Sequence, residues 1–248
     1  MKTSDEMVTG GEGSAGGEMT VSPRRAVRRV YRAEIVFILA LSSYAVMAVL
    51  AYRYAYFEWD LRLARSIQSI ALPGFDLLMA WTSELGNGWV PFAMVIAAGA
   101  ALIAGRFRSE GVVCMAGVGL GAVVNRLLKA ASARPRPPDT LVDVAGQFSH
   151  ESFPSGHVVF FIEFFGFLFF LSYVLLRRGR RRRASLALTG FLISTVGVSR
   201  VYLGAHWPSD VVGAYLAGGL WLMIMIEVYR RLKSRSQKQG FESGRGEE

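Results

Sequence analysis

The sequence predicts an all-α membrane protein, a bundle of six transmembrane helices with one further helix at the membrane interface between the first two spans. Three observations support this fold class. Apolar residues make up 52% of the chain and come in runs too long for a soluble core. Basic residues gather in short clusters between those runs, and one stretch between the first two runs mixes apolar with charged residues.

The predicted spans begin with residues 35–52, which carry no charge. At about 1.5 Å per residue this run reaches roughly 27 Å, close to the thickness of the hydrocarbon core of a bilayer. Several later runs reach that length only when their polar ends are included. The five later spans are residues 85–105, 111–124, 158–176, 184–199 and 211–226.

Residues 57–72 separate the first two spans and are expected to lie at the interface rather than to cross the bilayer. Apolar and charged side chains are mixed there, as in an amphipathic surface helix. The apolar members are Trp59, Leu61, Ile67 and Ile70, and the charged members are Glu58, Asp60, Arg62 and Arg65.

The basic clusters fix the predicted orientation, because all of them fall on one side of a six-span bundle. The positive-inside rule makes that side cytoplasmic, so both termini are expected in the cytosol of a multi-pass plasma-membrane protein. The clusters are Arg24, Arg25, Arg28, Arg29 and Arg32; Arg106 and Arg108; Arg177, Arg178 and residues 180–183; and Arg230, Arg231, Lys233 and Arg235.

Two polar segments flank the predicted domain, which covers residues 24–233. Residues 1–23 and 234–248 have the composition of disordered cytoplasmic tails, and the first lacks the basic-then-apolar order of a signal peptide. The net charge of +9 does not indicate a nucleic-acid partner, because the basic residues are distributed as topology signals. The single cysteine, Cys114, lies in an apolar run and is expected to be buried, with no intrachain disulfide.

Three polar strings lie at the ends of predicted spans. Odd spans end outside the cell and even spans begin there, so the topology brings all three strings to one extracytoplasmic face. They supply two of the three histidines, several cations, a hydroxyl, a glycine amide and a carboxylate, which suit the binding and breaking of a phosphate ester. The strings run from Lys129 to Pro137, from Pro154 to His157, and from Ser199 to Asp210.

The second string predicts an anion site at a helix start. Pro154 suits the first turn, and Gly156 lets the backbone N–H groups approach a ligand at the positive end of the helix. An ordinary helix start would explain Pro154 but not His157 beside it. Ser155 is interpreted as a phosphate donor rather than a nucleophile, since a hydroxyl nucleophile needs an activating base.

In the third string, His206 and Asp210 are four residues apart. A helical start to the last span would place them on one face, where the carboxylate orients the imidazole. Arg200 is positioned to bind phosphoryl oxygens in a bidentate fashion. A simple pair between Arg200 and Asp210 at the interface is the alternative, but it leaves His206 unexplained.

Lys129 and Arg136 add positive charge in the first string, and Arg134 competes with Arg136 for the binding role. Contact with lipid headgroups is the alternative for these cations, and it is favoured for Arg134 and Arg126. Asn125 is expected to support Lys129 by hydrogen bonding.

Other polar residues receive weaker interpretations. Glu163 lies inside a span, where it is either functional or simply protonated or paired within the bundle, and the sequence leaves both open. His150 is expected to face solvent. The phenylalanines between residues 160 and 170 predict core or lipid-facing packing.

The spacing of the strings, KxxxxxxRP, PSGH and SRxxxxxHxxxD, resembles the signature of the type 2 phosphatidic acid phosphatase family, within the wider vanadium haloperoxidase superfamily. The match covers residues 129–210 directly, and the six-span order extends it. The resemblance implies a metal-independent reaction without cofactor. In it His206 attacks phosphorus, Asp210 orients His206, and His157 protonates the leaving oxygen and then activates water. The phosphoryl oxygens would be held by Lys129, Arg136, Ser155, Gly156 and Arg200.

The expected function is therefore a membrane phosphatase or diphosphatase whose partner is a lipid phosphate in the bilayer. Undecaprenyl diphosphate, phosphatidylglycerophosphate and phosphatidate are the candidate substrates. The alternatives are a lipid phosphotransferase with the same site, and a lipid-binding or transport protein without chemistry. A soluble-type haloperoxidase is disfavoured by the apolar chain, and the oligomeric state is not predicted.

Overall fold

The computed structural model describes residues 23–148 and 151–245, and over those residues the chain forms eight helices and no strand. The predicted tail up to residue 22, His150, and residues 246–248 lie outside the described part. From Phe37 onward the helices form one compact unit. The helices are α1 (Pro23–Arg53), α2 (Glu58–Gln68), α3 (Phe75–Glu84), α4 (Val90–Ala104), α5 (Arg108–Ser132), α6 (Gly156–Leu175), α7 (Arg180–Tyr202) and α8 (Pro208–Arg245).

Five helical segments in the described residues are long and apolar enough to cross a membrane. They lie within α1, α5, α6, α7 and α8. The all-helical multi-pass fold is therefore confirmed, while the sixth span stays a prediction. Its counterpart, α4, has 15 residues and reaches only about 22 Å.

The shortening of α4 has a local cause. The sequence predicts a span from residue 85, but the chain turns through residues 85–89 before the helix begins at Val90. Gly88 adopts a left-handed conformation in this turn, with φ of +55°, which favours glycine. Pro91 then occupies the first turn of α4, where its missing N–H leaves no carbonyl unpaired.

Two helices precede this turn. The predicted interfacial helix is present as α2, and its Asp60 and Ala64 are buried against the bundle while most of its other residues are exposed; its location at the membrane interface stays a prediction. The sequence interpretation did not include α3. This helix packs against α7, where Ser199 Oγ donates to Met79 O at 2.6 Å.

The centre of the bundle is α6, which packs against α5, α7 and α8. Its phenylalanines stack on one another, and Phe161 and Phe167 are completely buried, as the sequence predicted for this run. Glu163 is 2% exposed and faces Gly121 of α5. No ion pair of Glu163 is found among the described residues.

The opposite end of α5 is tied to α8. Glu110, in the first turn of α5, is completely buried and accepts from Tyr229 Oη at 3.1 Å and Lys233 Nζ at 2.8 Å. The α8 helix continues through Arg245, past Ser234, where the sequence predicts the start of a tail. The two contacts with Glu110 hold the long last helix against the third predicted span.

Candidate active site

The three strings identified in the sequence meet at one end of the bundle. They lie at the C-terminal ends of α5 and α7 and at the N-terminal ends of α6 and α8. Arg136 Nη1 lies 3.4 Å from His206 Nε2, which joins the first string to the third. The backbone N–H of Ser155 donates to Asp210 O at 3.3 Å, which joins the second string to the third.

His206 occupies a tight turn between α7 and α8 and is 2% exposed. The backbone N–H groups of Ala205 and His206 both donate to Arg200 O, at 3.0 and 3.2 Å. Gly204 has φ of +67° and packs against the backbone of residues 143–144 so closely that no side chain would fit. The turn therefore fixes the position of His206 through its backbone.

The helical stacking expected for His206 and Asp210 is wrong in its detail, because α8 begins only at Pro208. The side chains still face each other, with His206 Nδ1 3.6 Å from Asp210 Oδ2. That distance is too long for a hydrogen bond. Asp210 instead accepts the backbone N–H of Trp207 at 2.9 Å, so it caps the start of α8.

Ser152 contacts both of these side chains from one side. Its Oγ donates to Asp210 Oδ2 at 2.5 Å and lies 3.3 Å from His206 Nδ1. With the proton on Nδ1, His206 donates to Ser152 Oγ, and Ser152 donates to Asp210. This arrangement leaves Nε2 unprotonated, with its lone pair facing the Arg136 guanidinium.

The sequence interpretation missed Ser152. The sequence indicated a role for Ser152 only by its position three residues before Ser155, in a segment without regular secondary structure. The residue is completely buried, so its hydroxyl needs partners, and the two side chains described above supply them.

Arg134 has a different role from the two considered in the sequence. Its side chain is completely buried and pairs with Asp210 Oδ1 at 2.6 Å and with Asp60 Oδ2 at 3.1 Å. A guanidinium held in this way contacts neither lipid headgroups nor the space beside His206 Nε2. Both interpretations of Arg134 are therefore corrected.

The other two arginines of the strings share an aromatic neighbour. The guanidinium carbon atoms of Arg136 and Arg200 lie 5.5 and 5.2 Å from the centre of the Phe148 ring. Arg136 Nη1 donates to Ala205 O at 2.7 Å, and Arg200 Nη1 donates to Ser83 Oγ. Phe148 thus brings together guanidinium groups from two separate strings by cation–π contacts.

Lys129 also points into this end of the bundle. Its Nζ donates to Glu151 O at 2.6 Å and to Ser152 O at 3.3 Å. These backbone bonds, rather than the expected bond from Asn125, hold the ammonium in place. The Asn125 amide lies instead beside Gly156, where an added Cβ would come within 3.2 Å of its nitrogen.

Two buried donor atoms on the second and third strings have no hydrogen-bond partner among the described residues. They are Ser155 Oγ, on the residue preceding α6, and Arg200 Nε. A buried polar group without a partner is costly unless a ligand satisfies it. Together with the N–H groups at the start of α6, they are donors of the kind that an oxyanion requires.

His157 lies in the first turn of α6 and is half-buried. Its Nε2 is 2.9 Å from Asn87 Oδ1, and Asn87 Nδ2 donates to Glu84 Oε1 at 2.9 Å, which fixes the orientation of the amide. Gly86 lies so close to the imidazole ring that a side chain there would collide with it. The turn between α3 and α4, which carried no functional prediction, therefore positions the second histidine.

The electrostatics of the site favour a neutral His206. Burial lowers its pKa well below the usual range, and the positive charges of Lys129, Arg136 and Arg200 act in the same direction. A backbone hydrogen bond with Ser152 opposes the shift. At neutral pH the imidazole carries a lone pair that is surrounded by cations, which suits attack on an anionic phosphorus centre.

Comparison with known proteins gives a consistent result. The family model of the PAP2 superfamily matches residues 110–234, a segment that contains all three strings. Phosphatidylglycerophosphatase B of Bacillus subtilis (strain 168) is 25% identical over 180 residues, which cover 72% of this chain and 87% of that protein. Lipid A 1-phosphatase of Rhizobium etli is 35% identical over 115 residues, covering 42% of this chain and 44% of that protein.

Two solved structures share the fold. The crystal structure of a transmembrane PAP2-type phosphatidylglycerolphosphate phosphatase from Bacillus subtilis matches with a TM-score of 0.69 at 22% identity, covering 79% of this chain and 96% of that one. The structure of Aquifex aeolicus LpxE matches with a TM-score of 0.53 at 26% identity, covering 69% and 96%. The chain belongs to the PAP2 superfamily and is a multi-pass membrane phosphatase of the type 2 phosphatidic acid phosphatase family.

Proposed function

We propose that this protein hydrolyses the phosphate head of a membrane lipid through a phosphohistidine intermediate on His206. The observation that carries the proposal is the environment of the His206 ring. Its Nε2 faces Arg136 at 3.4 Å, while Ser152 and Asp210 lie behind Nδ1. A buried neutral imidazole with a cation beside its free nitrogen is suited to nucleophilic attack.

In the first step the lone pair of His206 Nε2 forms a bond to phosphorus, and the bond from phosphorus to the lipid oxygen breaks. His157 gives a proton to the departing lipid oxygen. The Nδ1 proton of His206 stays on the ring, which becomes positively charged in the phosphohistidine. Ser152 and Asp210 stabilise that charge.

In the second step His157 takes a proton from water, and the water oxygen bonds to phosphorus. The bond from phosphorus to Nε2 breaks, inorganic phosphate leaves, and His206 is again neutral. In both steps Lys129, Arg136 and Arg200 neutralise the charge on the phosphoryl oxygens, and the Ser155 hydroxyl and the N–H of Gly156 complete the oxyanion pocket.

The substrate class follows from the membrane setting and from the relatives. The three strings lie at the ends of apolar helices, an arrangement that lets a lipid keep its tails in the bilayer while its head enters the proposed site. The relatives named above act on phosphatidylglycerophosphate and on the 1-phosphate of lipid A. We therefore infer a lipid phosphate, with phosphatidylglycerophosphate, phosphatidate, lipid A 1-phosphate and undecaprenyl diphosphate as the compounds to compare.

We also propose six spans, formed by α1, α4, α5, α6, α7 and α8, with the active site on the extracytoplasmic side of the plasma membrane. The basic residues between α4 and α5, between α6 and α7, and at the end of α8 lie at the opposite end from the strings. The positive-inside rule supports a cytoplasmic location for that end.

The deciding experiment supplies the purified protein in detergent with each lipid carrying a ³²P-labelled phosphate. Samples quenched within milliseconds are expected to contain a phosphoprotein that survives alkali and is lost in acid, which is the behaviour of phosphohistidine. His206→Asn should abolish both this species and phosphate release, whereas the matched change His150→Asn should leave both in place.

The other outcomes are equally informative. A labelled second lipid with little free phosphate would indicate a transferase. Binding of the lipids without release of phosphate would indicate a non-catalytic protein. Undiminished turnover by His206→Asn would overturn the assignment of the nucleophile.

A further inference from the structure

A buried ionic cluster lies behind the proposed nucleophile. It consists of Asp60, Arg134, Ser209 and Asp210, and we call it the Asp60 cluster. The exposed fraction is 1% for Arg134 and 0% for the other three. Charged side chains are almost never buried to this degree unless they are paired, so the contacts within the cluster determine its geometry.

Arg134 is the centre of the cluster. Its Nη1 donates to Asp210 Oδ1 at 2.6 Å and to Ser209 Oγ at 2.7 Å, and its Nη2 donates to Asp60 Oδ2 at 3.1 Å. Its Nε donates to the backbone carbonyls of residues 54 and 55, at 3.2 and 3.1 Å. The guanidinium is thus held by α8, by α2 and by the segment that follows α1.

Asp60 binds two partners: the Arg134 guanidinium and the first turn of α8. It accepts the backbone N–H of Ser209 at 2.7 Å and the Ser209 hydroxyl at 2.6 Å. The neighbouring residue on α8 is Asp210. A carboxylate from α2 therefore fixes the helix turn that carries the partner of the nucleophile, and it satisfies a free N–H at the positive end of α8.

The two oxygen atoms of Asp210 have separate partners. Oδ1 accepts from Arg134, and Oδ2 accepts from Ser152 and from the backbone N–H of Trp207. A carboxylate fixed at both oxygens cannot rotate away from the His206 side. Arg134 also keeps the negative charges of Asp60 and Asp210 from facing each other unpaired in the buried interior.

We infer that Arg134 and Asp60 are positioning residues of the reaction, which act through Asp210 on His206 and do not bind the phosphate. The inference rests on the proposed function of His206 and Asp210. On this inference α2 contributes a positioning residue, Asp60, to the active site. It also gives two arginines only two residues apart different tasks, with Arg134 behind the nucleophile and Arg136 in front of it.

The closely spaced pair provides its own control. Arg134→Gln is expected to lower kcat about 100-fold while the inhibition constant for inorganic phosphate changes less than about 3-fold. Arg136→Gln is expected to raise that inhibition constant at least about 10-fold. Arg134→Lys keeps the positive charge but loses the planar guanidinium. Its kcat should be higher than that of Arg134→Gln and reach about a tenth of the wild-type value or more.

A double-mutant cycle separates positioning from a merely structural role. If Arg134 acts through Asp210, Arg134→Gln should lower kcat less than about 3-fold further in an Asp210→Asn background. Asp60→Asn should behave in the same way, with a smaller effect in the wild-type background. A structural role would instead give effects on kcat that multiply in the double variant.

Several results would overturn the inference. They are a raised phosphate inhibition constant for Arg134→Gln, multiplicative effects in the cycle, or unchanged kcat in both single variants. If Arg134→Gln does not fold, Arg134→Lys and Asp60→Asn carry the cycle, and loss of the folded protein in these conservative variants would reduce the cluster to a folding role. Failure of the proposed function is distinguishable, since it appears as turnover by His206→Asn.

Discussion

His206 Nδ1 and Asp210 Oδ2 lie 3.6 Å apart, and the Ser152 hydroxyl lies beside this pair of atoms, within hydrogen-bonding distance of both. The contact between the proposed nucleophile and its carboxylate is therefore indirect. The Ser152 hydroxyl accepts a hydrogen bond from the His206 ring and donates one to the Asp210 carboxylate. The carboxylate therefore orients the ring through this hydroxyl.

Removing this hydroxyl should slow the attack on phosphorus. Ser152→Ala is expected to lower kcat about 10- to 100-fold with little change in KM, because Ser152 contacts the ring nitrogen away from the substrate. Rates of phosphoenzyme formation after rapid mixing measure this directly. Ser155→Ala is the matched control, since Ser155 Oγ is buried without a partner and is proposed to bind a phosphoryl oxygen, so its loss should raise the inhibition constant for phosphate. A Ser152→Ala enzyme with wild-type kcat would show that the indirect contact is dispensable.

The lowered pKa of His206 predicts the pH dependence of the enzyme. Attack requires the neutral ring, so the acid limb of kcat/KM that belongs to His206 should fall below pH 6.5, the usual range of histidine. Removing one nearby cation, as in Arg136→Gln, should move that limb toward higher pH. NMR of the ¹⁵N-labelled imidazoles gives the pKa directly, and with three histidines in the chain each is assigned by a single substitution. A ring that titrates above pH 6.5 in the free enzyme would contradict the prediction.

The lowered pKa of His206 also makes the stability of the fold depend on pH. The unfolded chain takes up a proton on His206 below about pH 6.5, whereas the folded chain does not until the pH is much lower. Protonation therefore favours the unfolded state as the pH falls, and this contribution to stability is fully present only above about pH 6.5.

The sequence could predict the helical class and the meeting of the three strings, because both depend on local features. Apolar run length gives the spans, and their alternating direction brings Lys129, Ser155 and His206 to one end. The turn that shortens α4 also had a local signal, since Gly86 and Gly88 flank Asn87 in the printed sequence.

The buried network could not be predicted in the same way. Asp60 and Ser209 are 149 residues apart, and Asp60 lies in a helix whose mixed composition is typical of a membrane surface. Whether its carboxylate meets lipid, water or a buried arginine depends on the packing of α2 against α8. Arg134 was misread for the same reason, because its partners come from distant parts of the chain.

Phe148 should determine how tightly the site binds phosphate. Its ring contacts the guanidinium groups of Arg136 and Arg200, and each such contact contributes about 0.5–1 kcal/mol. Phe148→Leu is expected to raise the inhibition constant for phosphate roughly 3- to 10-fold, while Phe148→Tyr should stay close to wild type because it keeps an aromatic face. Equal inhibition constants for the leucine and tyrosine variants would show that the ring acts only as apolar packing.

The orientation of the bundle is testable with single cysteines. Ser69, at the end of α2, and Gly179, just before α7, are both exposed and lie near opposite ends of the bundle. In a Cys114→Ala background, Ser69→Cys should react with a membrane-impermeant maleimide in intact cells, whereas Gly179→Cys should react only after the membrane is opened. The native Cys114 is completely buried, and its replacement leaves the introduced cysteine as the only thiol in each variant. The reverse labelling pattern would place the active site in the cytosol.

The close approach of α5 and α6 at Gly121 should be needed for stability. Glu163 faces Gly121 so closely that an added Cβ would collide with its carboxyl group, which is buried among apolar side chains. Gly121→Ala is therefore expected to destabilise the fold by about 1–3 kcal/mol, measured as a lowered melting temperature in detergent.

Two further variants identify the cause. Gly119 lies on the same helix with open space where its Cβ would be, so Gly119→Ala should be neutral or stabilising. Combining Gly121→Ala with Glu163→Ala removes the collision and should restore most of the lost stability, because the small side chains then fit together. If Glu163→Ala also left phosphate release unchanged, the carboxyl group would be a packing feature of the bundle. A large loss of kcat without a change in melting temperature would instead place Glu163 among the residues that the reaction needs.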